Sequence, residues 1–136
     1  LPPGGNNGLA IRSPQGEGDA AYKAMELQVL DDTHPKYSDL KPYQAHGSIY
    51  GLAPARKGYL RPTGEWNYQE VTVDGDRVVV RLNGFEILNA NLDEVRQKPI
   101  DGNEHPGAFR SSGHFGFCGH SDPVEFRNVR IKRIER

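Results

Sequence analysis

The 136 residues suffice for one domain with a real core, and 16 Gly with 10 Pro suit many tight turns rather than long helices. A net charge of -1 with both signs interspersed leaves no electrostatic footprint for nucleic acid. No apolar run approaches the roughly 18 residues of a membrane span, and Cys118, the single cysteine, closes no internal disulfide and so says nothing about export.

The chain opens on Leu1-Pro-Pro-Gly-Gly, a loop entering a strand. No secretion signal precedes it, which reads as a processed or truncated N-terminus. Alternating polarity predicts strands over residues 8–12, 24–31 and 48–52, with a polar loop over 32–44 too long for a hairpin turn. The clearest signal lies in 65–88. Val71-Thr72-Val73 and Arg77–Leu82 flank Asp74-Gly75, and Phe85-Glu86-Ile87-Leu88 follows Asn83-Gly84, so two strong hairpin dipeptides nine residues apart predict a three-stranded meander. The phase of 66–69 stays open, because Asn67 and Gln69 share parity with Val71 and Val73. A second long polar segment covers 90–112, with one helical turn at 91–95. Further strands are predicted at 114–119 and 124–134. In the last of these the parity flips after Asn128, which calls for a bulge there. Prolines 42, 54, 62, 106 and 123 fall between strands, where a missing N–H does no harm. Evenly spaced short strands of this kind imply an all-β sandwich or barrel, read as one domain over 1–136.

Successive strand residues point to opposite faces. Leu9 and Ile11 therefore oppose Arg12, Leu27 and Val29 oppose Glu26 and Gln28, and Phe115 and Phe117 oppose His114, Cys118 and His120. Val124 and Phe126 oppose Glu125 and Arg127. Such polar faces can simply meet water, as one side of an antiparallel sheet does. Glu, Gln, His and Arg recurring beside Gly and Tyr also suit a groove floor of donors and acceptors for a polyhydroxylated ligand.

Other chemistries carry less weight. Cys118 beside His120 suggests a thiol nucleophile, but a small buried strand cysteine is the commoner case. His114, Cys118 and His120 cannot share one metal ion, since strand positions four apart lie roughly 13 Å from each other. His120 with Glu26 or His46 leaves a divalent metal open, its ligand set unknown. Asp31-Asp32-Thr33-His34 suits a turn better than a calcium loop. Gly4-Gly5-Asn6-Asn7-Gly8 lacks the ending of a phosphate loop. The basic end from Arg127 reads as an exposed edge guarded by Lys and Arg. Trp66, Tyr43, Tyr50 and Tyr59 offer rings for sugar stacking, although aromatics more often serve cores.

Seven blocks in order then become recognisable: Asn7-Gly8-Leu9-Ala10-Ile11-Arg12; Met25-Glu26-Leu27-Gln28-Val29-Leu30-Asp31; Gly47-Ser48-Ile49-Tyr50-Gly51; Gly64-Glu65-Trp66-Asn67; Leu82-Asn83-Gly84; Gly113-His114-Phe115-Gly116-Phe117-Cys118-Gly119-His120; and Val124-Glu125-Phe126-Arg127-Asn128-Val129-Arg130-Ile131-Lys132. Over nearly its whole length the chain resembles the 3-keto-disaccharide hydrolase family, whose members are also described as 3-keto-glucoside lyase/hydratase-like domains. The resemblance implies a concanavalin A-like jelly-roll sandwich of two antiparallel sheets with a concave sugar face, in an exported (periplasmic or secreted) bacterial protein. Family members usually carry further strands before the first block, so the expectation here is either that N-terminal strands of the sandwich are missing or that the sheet closes differently. The implied chemistry acts on a sugar already oxidised to a ketone at C3: a base removes the acidified C2 proton, the C1 oxygen leaves, and water adds to the enone. On that reading Glu26 is base or metal ligand, Arg12 stabilises the enolate, and His120 is acid or ligand. Gln28, Tyr50, Trp66, Asn67, Glu125 and Arg127 then contact the substrate. The rival expectations are a carbohydrate-binding module using the same groove without a base, and a structural or interaction domain.

Overall fold

A computed structural model describes residues 1–16 and 19–135. It is all-β, with two three-stranded antiparallel sheets. The first is built from β1 (Asn6–Ser13), β2 (Met25–Leu30) and β6 (His114–Phe117) in the order β2-β1-β6. The second is the meander β3 (Gln69–Asp74), β4 (Arg77–Leu82) and β5 (Phe85–Asn91). Its second turn has φ of +51° at Asn83 and +88° at Gly84, the left-handed pair that the tightest hairpins demand.

The core lies between the sheets. Met25 and Leu27 from β2, Ile11 from β1, and Val78, Val80, Leu82, Ile87 and Leu88 from the meander pack into one cluster with Ile49 and Leu52. Leu27 and Ile49 are fully buried; truncating either to alanine should cost about 2–5 kcal/mol. The phase left open by sequence is now fixed. Gln69 pairs with Leu82 and Val71 with Val80, so Gln69 points inward, where its Oε1 lies 2.8 Å from His46 Nε2.

Several expected elements take another form. Residues 48–52 make a tight turn instead of a strand. Ile49 bridges Leu27 and Ala53, and Gly47 and Gly51, at φ of +81° and +71°, break the extended path. Residues 124–134 alternate like a strand but pair with none among the described residues, and Ile131 is 74% exposed. Alternation prepares a segment to pair; it does not supply the neighbouring backbone. Asn128 has φ of +53°, but the bulge of this sheet lies in β1, where pairing to β6 slips between Ala10 and Ser13 and Arg12 takes φ of +53°. The long polar segments hold short turns of helix, at Pro35–Tyr37, Pro42–Gln44 and Pro106–Phe109, together with the helical turn α2 (Leu92–Val95) capped by Asn91. A further turn, α1 (Ala20–Lys23), is capped by the Asp19 side chain. No helix among the described residues is long and apolar enough to cross a membrane.

Candidate active site

Every residue of β2 is buried, those facing away from the core included. The core takes Met25, Leu27 and Val29. The opposite face carries Glu26, Gln28 and Leu30 and floors a hollow of ≈ 320 Å³. Asp19, Ala21 and Tyr22 of the α1 turn form one wall, and Tyr37, Leu40 and Gln44 another. Tyr50, Asn6 and His120 complete the lining. The volume falls at the small end of ligand sites and suits one or two sugar rings.

Gly8 explains how a carboxylate fits on this floor. Ala10 pairs with Glu26 and Gly8 with Gln28, so the Glu26 side chain lies diagonally across Gly8. A Cβ at Gly8 would collide with Glu26 Oε1 and stand 2.7 Å from Cγ and Cδ. The missing side chain is the space the carboxylate occupies. Glu26 is 7% exposed, and its Oε1 is buried without a hydrogen-bond partner. Burial raises its pKa above the ordinary carboxylate value; His120 pulls it back in part and Asp19 adds to the rise. His120 Nε2 stands 3.9 Å from Oε1, beyond a direct hydrogen bond but close enough to feel the charge. The segment bearing His120 is pinned at both ends to β1, because the Cys118 N–H donates to the Gly8 carbonyl and Asp122 Oδ2 accepts from the Asn6 N–H.

The rest of the lining is polar and aromatic. Tyr50 stands edge-on to both Tyr22 and Tyr43, with ring centroids 6.4 and 5.6 Å away. Gln28 donates to the Gln44 carbonyl, and the Gln44 amide to the Tyr50 hydroxyl, both at 3.4 Å. Burial, followed by the nearby Tyr50 and Asp101, raises the Tyr22 pKa and keeps that phenol a donor. Behind Tyr22 lies a buried pair: His105 Nε2 lies 3.0 Å from the Asp101 carboxylate and Nδ1 3.1 Å from the Ala21 carbonyl oxygen, contacts that fix the α1 wall from below.

Of the residues singled out from sequence, Glu26, His120, Gln28 and Tyr50 meet in this hollow. Arg12 does not. The bulge turns it off the polar face, and its guanidinium donates to the carbonyls of Arg110, at 3.0 Å, and Gly75, tying the first sheet to the β3–β4 turn. Trp66 is 41% exposed and lies elsewhere, with the Arg127 guanidinium 3.9 Å from its ring centre. Glu125 is exposed outside the lining. Asn67 accepts from the Arg61 N–H and the Asn83 amide, both at 2.9 Å, and so braces the loop before the meander.

The other candidate centres also resolve. The Cys118 thiol has its pKa raised by burial and by Glu26, which disfavours the thiolate a nucleophile requires. His46 is engaged at both nitrogens, accepting from the Leu30 N–H at Nδ1 and donating to Gln69 at Nε2, so it cannot join His120. Asp31 and Asp32 accept from the N–H groups of Gly4, Thr33 and His46 and serve as turn caps. Among the described residues no three His, Cys, Asp or Glu side chains cluster as metal ligands would. Asn6, Asp19, Tyr22, Tyr37, Leu40 and Gln44 were not foreseen. Asn6 was within reach, since the even-numbered face of Gly8 extends two residues back to it. The others lie on turns, where no periodicity announces them.

A family model described as a 3-keto-alpha-glucoside-1,2-lyase-like domain matches residues 1–132. The chain is similar to a 3-keto-disaccharide hydrolase of Bacteroides thetaiotaomicron, 30% identical over 159 aligned positions that cover 97% of this chain and 55% of that protein. It also resembles the crystal structure of a candidate glycosyl hydrolase from Parabacteroides distasonis, at 27% identity and a TM-score of 0.68, covering 85% of this chain and 62% of that one. A second such structure from the same organism, at 20% identity and a TM-score of 0.70 over 90% of this chain and 60% of that one, speaks for the fold alone. The chain thus spans about half the length of the curated relative it matches.

Proposed function

The chain belongs to the 3-keto-alpha-glucoside-1,2-lyase-like domain family, and from that premise we propose that it cleaves 3-keto-glycosides in the hollow above β2. The observation that carries the proposal is Glu26: a buried carboxylate with an unpartnered oxygen, on a residue lining a sugar-sized space, with a histidine 3.9 Å away.

A ketone at C3 acidifies the C2 proton. Glu26 takes that proton, and the electron pair passes into the C3 carbonyl as an enolate. Collapse of the enolate forms the C1–C2 double bond and breaks the bond from C1 to the glycosidic oxygen, which His120 protonates as it leaves. Water then adds across the enone, giving net hydrolysis. A base works best with a pKa near the working pH, and burial moves Glu26 in that direction. The Tyr22 and Tyr50 hydroxyls replace Arg12 as donors to the enolate oxygen, and Gln28 orients a hydroxyl. We place the protein with exported bacterial carbohydrate enzymes, acting on substrates that an oxidising enzyme has prepared.

The test is release of aglycone from a 3-keto-glucoside, with and without chelator, against the unoxidised glucoside as control. Glu26→Gln should lose about 10²–10⁴-fold in kcat while still binding sugar. Wild-type turnover by Glu26→Gln would remove the base. Binding of unoxidised oligosaccharide without any turnover would make the domain a carbohydrate-binding module.

A further inference from the structure

The hollow holds a second buried acceptor. Asn6 Oδ1, like Glu26 Oε1, is buried without a hydrogen-bond partner, and both residues line the same space. A buried acceptor left unpaired is destabilising, so Asn6 Oδ1 is suited to a donor that arrives with a ligand. Asn6 is not left loose: its backbone N–H is held by Asp122 at 2.9 Å, and Asn6 pairs with Leu30 at the head of β1. It stands two residues from Gly8 on the same face, and Glu26 lies over Gly8. Residues two apart on a strand are separated by roughly 6.6 Å. Both residues that carry an orphan oxygen thus line the hollow from the same face of the sheet.

We propose that Asn6 is a specificity-determining residue whose Oδ1 accepts a hydrogen bond from a ring hydroxyl remote from the reacting carbons. The sugar itself is named on the strength of the function proposed above. The chemistry sets the orientation. A ketone only accepts hydrogen bonds, so it is disfavoured beside Asn6 Oδ1 and turns toward the Tyr22 and Tyr50 hydroxyls. A ring hydroxyl donates and takes the Asn6 end. The pair thus selects a ring that keeps a donor opposite its oxidised side, and rejects one deoxygenated there.

The experiment compares Asn6→Ala and Asn6→Leu with the wild type in two assays: steady-state kinetics on a 3-keto-glucoside, and calorimetric binding of the parent glucoside. Both variants should raise KM and Kd roughly tenfold with kcat within about threefold. Neither should lower the melting temperature of the free protein, because each removes an unsatisfied buried oxygen. A structural residue would behave oppositely, with lower melting temperature and unchanged KM, and that result overturns the proposal. Two variants guard against a packing defect in one; unchanged affinity in Asn6→Ala alone is sufficient to reject it. Wild-type turnover with unaltered KM in the variants defeats Asn6 but not the reaction. Glucoside binding that weakens in the variants, in a protein inactive on 3-keto-glucosides, defeats the reaction but not Asn6. A wild type that binds neither sugar defeats both.

Discussion

Gly8→Ala isolates the carboxylate's seat from everything else. Gly8 needs no left-handed backbone, so alanine meets no conformational penalty and gains slightly by narrowing the unfolded ensemble, by about 0.4–1 kcal/mol. The whole effect then falls on Glu26. The new Cβ would collide with Oε1 and stand 2.7 Å from Cγ and Cδ, whereas ordinary contact begins at 3.4 Å, so the side chain must retreat by roughly 1 Å or swing into the hollow. Overpacking of this kind costs about 1–3 kcal/mol, leaving a net loss of at most about 2.6 kcal/mol. Catalysis should suffer far more, since a 1 Å misplacement of a reacting group costs about 10²-fold. The assay pairs kcat/KM on a 3-keto-glucoside with a melting curve and uses Gly116→Ala as the control, because a Cβ at that neighbouring position meets nothing within 4 Å. Wild-type turnover by Gly8→Ala, or equal damage from Gly116→Ala, would refute the reasoning.

Three further outcomes follow from the same geometry. Because burial raises the Glu26 pKa, its contribution to stability is complete below the ordinary glutamate value near 4.3 and is lost as pH rises through the higher folded value; urea midpoints of Glu26→Gln should therefore pull ahead of wild type across that window. His46 is the opposite case. Burial depresses its pKa, so its contribution is present above about 6.5 and disappears as pH falls through the folded value, and His46→Gln should flatten that part of the urea-midpoint profile. Arg12→Ala removes the guanidinium link to Arg110 and Gly75, so it should cost about 1 kcal/mol, a melting shift of roughly 3–5 °C, while kcat/KM of the folded protein stays within about threefold.

Period-two alternation read the sheets well because a strand's faces are set by the pleat alone. It placed Glu26 and Gln28 opposite Leu27, and the Asn83-Gly84 dipeptide located the second turn of the meander; the first falls one residue beyond the expected Asp74-Gly75, at Gly75-Asp76, because Asp74 still pairs with Arg77. Alternation fails where the backbone leaves the pleat. Arg12 sits at a bulge, and one residue in the left-handed region sufficed to carry its side chain to the far sheet. Residues 48–52 carry the apolar pattern of a strand but are bracketed by glycines that turn the chain. The hollow's walls were illegible for another reason. Tyr22, Tyr37 and Gln44 lie on three- and four-residue helical turns, too short to show a period, and what brings them together is contact between segments distant in sequence.

The clasp between Asn6 and Asp122 spans 116 residues, which has a kinetic meaning as well as a geometric one. Closing so long a loop costs more entropy than closing the local turns of the meander, so the meander is expected to form before the two ends of the hollow's floor meet. An intermediate holding the meander alone would lack the hollow. Protection of the Asn6 amide from hydrogen exchange would then mark the moment at which the hollow above β2 is complete.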